Sequence, residues 1–135
     1  MTNQQKRIVL DSFQQIAPES SRAGELFYKR LFSLDPSLRP LFAEDLASQS
    51  DKFIQMLALG VRGLDDPDTL VSTFRDLGRK HVGYGVKTSH YETAHSALVG
   101  MLEDLLGDGF TPAVREAWDA TYRELQDAMV GVETP

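Results

Sequence analysis

Residues 66–91 read DPDTLVSTFRDLGRKHVGYGVKTSHY: a helix, a glycine-broken corner and the start of a second helix. Leu70, Phe74, Leu77 and His81 stand at i, i+4, i+7 and i+11, one face of a 3.6-residue repeat. An apolar stripe therefore ends in an imidazole turned towards the core. Gly83 and Gly85 follow at once and would end the helix, which puts His81 in or near its last turn. Spacing alone reads such a histidine as a core or capping residue. A ligand role needs support from the rest of the chain.

Outward from this stretch, nothing reads as a strand. Thr2 and Gln5 form a capping box, and Val9, Phe13 and Ile16 give the first helix one apolar face ending before Pro18. The polar step ESS (19–21) supplies an N-cap for a second helix carrying Leu26, Phe27, Leu31 and Leu34. Asp35-Pro36 breaks it, and SLRPLF (37–42) reads as a single turn. A polar connection, AEDLASQS (43–50), leads to a run with Phe53, Met56, Leu57, Gly60 and Leu64 on one face. Asp66 caps and Pro67 opens the helix that ends at His81. Ser89 and Glu92 form a further capping box, with Tyr91, Ala94, Leu98, Met101 and Leu105 turned inward. Thr111-Pro112 starts the last helix, whose apolar residues are Val114, Trp118, Tyr122, Leu125 and Met129. The expectation is an all-α globule of six major helices and a short one, in a single domain over 1–135.

Composition narrows the function classes. Twenty acidic residues against fourteen basic give a net charge of −6, which disfavours a phosphate-binding face. The densest basic group is Arg75, Arg79 and Lys80, where a helix C-terminus already suits cations. The absence of cysteine removes disulfides, thiolate nucleophiles, iron–sulfur clusters and Cys-ligated zinc. The N-terminal residues lack the apolar core of a secretory signal, and no run approaches a membrane span. We therefore expect a cytoplasmic protein with neither nucleic acid nor membrane as partner.

Catalytic motifs are absent. Residues 83–85, GYG, lack the Lys and Ser/Thr of a phosphate loop. His90 and His95 are off one helical face and make a poor metal pair, while Asp65, Asp66 and Asp68 serve capping better than calcium. Chemistry here requires something bound in the core.

Four segments in register resemble one family: LFYKRLFSLDPSLRPLF (26–42), SQSDKFIQMLALGVRGL (48–64), LGRKHVGYGVKTSHY (77–91) and the AW…Y pattern of 117–122. Over essentially its whole length the chain resembles a bacterial single-domain globin of the flavohaemoglobin branch, similar to Vitreoscilla-type and Hell's Gate-type haemoglobins and to neuroglobin. The resemblance implies the globin fold, with a haem b pocket between its E and F helices. It implies His81 as the proximal iron ligand and Phe42 as the aromatic packed on the porphyrin. Tyr28 and Gln49 match the distal hydrogen-bond donors, and Phe53 the apolar residue over the iron. Leu57, Leu77, Lys80, Val86 and Leu98 match further pocket residues. Tyr91 matches a proximal tyrosine, with Glu133 as its candidate carboxylate.

Each position also has a plainer account. Phe42 and the leucines suit ordinary core packing, Gln49 a solvent-exposed loop, and Tyr28 a buried structural hydrogen bond. Two departures qualify the resemblance: the distal histidine of vertebrate globins is missing, and no reductase segment follows. The implied function is reversible binding of dioxygen, carbon monoxide and nitric oxide at five-coordinate iron. Nitric oxide dioxygenation would then need an external reductase. The alternatives are a haem-based gas sensor, a haem-less interaction module, or a helical domain sharing only the fold. A peroxidase fits least, because no distal His–Arg pair is apparent.

Overall fold

A computed structural model describes residues 1–41, 45–83 and 87–130, all helix, turn and connection with no strand among them. Helix α1 (Asn3–Ile16) begins with the expected box: Gln5 N–H donates to Thr2 Oγ1 at 3.0 Å, and Thr2 N–H to Gln5 Oε1 at 3.0 Å. A 3-10 turn (Ala17–Glu19) joins it to α2 (Ser20–Leu34), and a second turn (Pro36–Leu41) follows. Helices α3 (Leu46–Gly63), α4 (Pro67–Gly83), α5 (Thr88–Leu106) and α6 (Pro112–Val130) complete the chain.

Two local expectations are corrected, and a third holds only in part. The 43–50 stretch is not all connection, because Asp45 accepts from Ser48 N–H at 2.9 Å and starts α3 at Leu46. Gln49 and Ser50 are consequently helical. The ESS step does supply the N-cap of α2, as Glu19, but with no side-chain hydrogen bond, since the 3-10 turn runs almost directly into the helix. Helix α5 starts with Lys87 at the N-cap, and the anticipated Ser89–Glu92 box gives way to a contact from His90. Asp66, by contrast, caps α4 as expected, holding Thr69 Oγ1 at 2.7 Å.

Helix α2 packs against α3 and α5, α4 against α6, and α1 against α6. Two glycines permit the tight approaches. A Cβ on Gly24 would lie 2.8 Å from the Ser50 Cα, and one on Gly78 would lie 2.8 Å from the Met129 carbonyl carbon. Both obstacles are backbone, so neither can step aside. Trp118 is fully buried and donates its indole N–H to Ser12 Oγ at 2.8 Å. Ser12 Oγ in turn donates to Ile8 O at 2.7 Å, which leaves the buried indole satisfied.

This packing fills one half of the molecule with Val9, Ile16, Ala97, Met101, Leu102 and Trp118. Between α2, α3 and α4 and the inner faces of α5 and α6, it leaves a cavity instead.

Candidate functional site

The cavity has a volume of about 150 Å³. Its described lining is mostly aliphatic and aromatic, including Leu31, Leu38, Leu41, Met56, Leu57, Leu98, Leu125 and Met129. The polar groups that interrupt this lining are Tyr28, His81, His90, Tyr91, Tyr122 and Gln126.

Helices α2 and α3 form one wall. Phe27 stacks on Phe53 with ring centroids 3.9 Å apart, and Tyr28 meets Phe27 edge-on at 5.1 Å. The Tyr28 hydroxyl reaches the Gln49 backbone carbonyl at 3.5 Å, the long limit of a hydrogen bond. Burial pushes the Tyr28 phenol up to about 12, because the phenolate would lose its water. The side chain therefore remains a neutral hydroxyl donor on an apolar wall throughout the physiological range.

Helices α4, α5 and α6 form the opposite wall. His81 is half-buried, and its Nδ1 lies 2.8 Å from the Leu77 carbonyl oxygen. A carbonyl can only accept, so this contact requires the hydrogen on Nδ1 and leaves the lone pair on Nε2. The Tyr91 ring is 6.3 Å from that of His81, and Tyr122 donates its hydroxyl to the Tyr91 carbonyl at 2.6 Å. Burial, then the neighbouring Tyr91, raises the Tyr122 phenol well above the ordinary tyrosine range. Behind Tyr122, at an intermediate depth, His95 stacks on its ring at 4.9 Å and meets Asp119 Oδ1 at 2.7 Å.

Of the residues singled out in the sequence, His81, Tyr28, Phe53, Leu57, Tyr91 and Leu98 line this one cavity. Gln49 and Leu77 touch the site's residues through their backbone carbonyls, and neither is among the described lining residues. Lys80 is exposed and is likewise outside the described lining. Phe42, Val86 and Glu133 lie outside the described residues. Sequence reasoning missed the part played by Phe27, Tyr122 and Gln126, and it set His90 aside. Tyr122 was visible as an inward helical position. Phe27 was likewise visible as an apolar position of the second helix, four residues before Leu31, but nothing in the sequence tied it to the cavity.

Comparison with known proteins decides the family. Residues 25–129 match the globin family. The chain belongs to the globin family. It is 33% identical over 125 residues to a flavohemoprotein of Bordetella pertussis, an overlap covering 87% of this chain and 31% of that protein. This globin thus spans about a third of the length of the flavohemoproteins it matches. It is also 30% identical over 143 aligned positions to neuroglobin of Danio rerio, covering 96% of this chain and 90% of that one. Among solved structures it resembles the carbon monoxide form of haemoglobin from Mustelus griseus, with a TM-score of 0.82 and 21% identity over 96% and 97% of the two chains. The globin therefore has the haemoglobin-like, all-helical fold.

Proposed function

We propose that this globin holds haem b in the cavity and binds dioxygen, carbon monoxide and nitric oxide reversibly. The observation that carries the reading is His81, an imidazole on an apolar wall whose Nδ1 is committed to the Leu77 carbonyl at 2.8 Å. Its Nε2 lone pair is the group a metal requires, and the Nδ1–H contact fixes the ring's orientation. The lining is chemically suited to an apolar macrocycle, and Phe27, Phe53 and Leu57 would pack against it. When bound, haem supplies an iron that accepts His81 on one side and a diatomic gas on the other.

The chain's own residues then set affinity. Tyr28 presents a protonated hydroxyl, which stabilises a ligand carrying partial negative charge in a site that excludes water. Gln49, one turn before Phe53, is assigned as a second donor, its half-buried side chain turning inward when ligand is present. On the other side, Tyr91 orients the His81 ring, and Tyr122 anchors the Tyr91 backbone.

We place the protein in the flavohaemoglobin branch, as a single domain over 1–135 acting in the cytoplasm. Conversion of nitric oxide, dioxygen and one electron to nitrate is consistent with the same pocket, the electron coming from an external reductase. No helix among the described residues is long and apolar enough to cross a membrane. The decisive experiment is the visible spectrum of the dithionite-reduced protein, before and after carbon monoxide. A five-coordinate ferrous spectrum that shifts with carbon monoxide supports the reading. A wild-type protein that stays colourless and refuses added haemin defeats it.

A further inference from the structure

A second histidine lines the same cavity, and its ring is held in the opposite sense. His90 is half-buried in the first turn of α5, and its Nδ1 accepts the Lys87 backbone N–H at 3.0 Å. A backbone N–H can only donate, so this Nδ1 must carry the lone pair. In the neutral imidazole the hydrogen then sits on Nε2. For His90 to ligate a metal through Nε2, the proton would have to move and the Lys87 contact would be lost. The ring is instead a fixed hydrogen-bond donor. Among the described lining residues there is no Lys or Arg, so few other groups are suited to an anionic part of an occupant.

We propose that His90 is a positioning residue, donating its Nε2–H to a carboxylate of the bound haem and thereby setting how the macrocycle is seated against His81. This inference rests on the haem reading above. A hydrogen bond to a charged acceptor in this setting corresponds to about a tenfold effect on retention.

The test compares wild type, His90→Phe and His90→Gln, each loaded with haemin and, separately, with haemin dimethyl ester, whose carboxylates are blocked. The measured quantity is the rate of loss to an excess of acceptor apoprotein, with helicity by circular dichroism confirming that each variant is folded. The expected result is loss of haemin about tenfold faster from His90→Phe, a smaller increase from His90→Gln, which keeps an N–H donor, and little difference among the three with the ester. Equal acceleration of haemin and ester by His90→Phe would mean that His90 only packs, and the proposal fails. Unchanged rates for haemin overturn it too. A wild-type chain that takes up neither compound defeats the haem reading itself, an outcome distinct from both.

Discussion

His81 and His90 line one cavity from two helices, and the contrast between them explains how one residue type serves two ends. On a helix every side chain leans back towards the N-terminus. Late in α4, His81 leans back onto a carbonyl, that of Leu77 four residues earlier. At the third position of α5, His90 leans back past the start of the helix, where the group waiting is the N-cap N–H of Lys87. Acceptor in one case and donor in the other select opposite tautomers. Position along the helix, not the histidine itself, makes one ring a Lewis base and the other a hydrogen-bond donor.

The sharpest way to break this contrast is to remove each ring in turn. His81→Ala should abolish stable haem attachment and with it the carbon monoxide-sensitive spectrum, whereas His90→Phe should keep the spectrum. If His90→Phe also removed the carbon monoxide-sensitive spectrum, the assignment of roles would be wrong.

A second test moves the wall that carries His81. Gly78→Ala would drive a methyl into the Met129 backbone and separate α4 from α6. The cost should be about 2–3 kcal/mol of unfolding free energy, read from urea denaturation. An unchanged midpoint would show that α4 is not held by that approach.

Tyr28 stands on the other wall and allows a test by pH. Its phenol is pushed up to about 12, so the folded chain keeps it neutral while the unfolded chain ionises from about 10. Its contribution is thus fully present below pH 10 and lost as pH rises towards 12. Tyr28→Phe should flatten that alkaline loss by on the order of 2 kcal/mol. The buried Tyr122 acts in the same direction and should account for what remains. At neutral pH, Tyr28→Phe should speed dioxygen dissociation about tenfold, measured by stopped-flow mixing with carbon monoxide. An unaltered rate would remove Tyr28 from the ligand's surroundings.

The smallest effect tests the tautomer alone. Lys87→Pro deletes the N–H that His90 accepts, without touching the ring. Haemin loss should rise by roughly twofold, because the ring is then able to turn or change tautomer. An effect as large as that of His90→Phe would mean that the start of α5, rather than the imidazole, is what matters.

Much of this was legible in the chain itself. The helical periods of Leu70–His81 and of Val114–Met129, the Thr2–Gln5 box and the Asp66-Pro67 start come from local rules that act over a turn or two, and each of those helices is present. His81, Phe53 and Leu98 were recognisable as inward positions and Tyr28 through the family resemblance, and all four meet at one cavity. The start of α3 was not legible, because AEDLASQS is polar enough for either a loop or a capped helix, and one Asp45 contact decides between them. Nor was the start of α5, where Ser89, Glu92 and His90 compete to cap the same turn.

What the sequence determined by itself is therefore the set of helices, most of their inward positions, though not Leu34, which is exposed, and the family they spell. Only the tertiary structure decided which stripes close into a packed core and which surround a cavity. That choice depends on backbone approaches such as Gly24 to Ser50 and Gly78 to Met129, which join residues far apart in the chain. It also placed His90 on the cavity wall with its ring nitrogen held by Lys87, because direction and partner are properties of a packed helix end and not of a residue type.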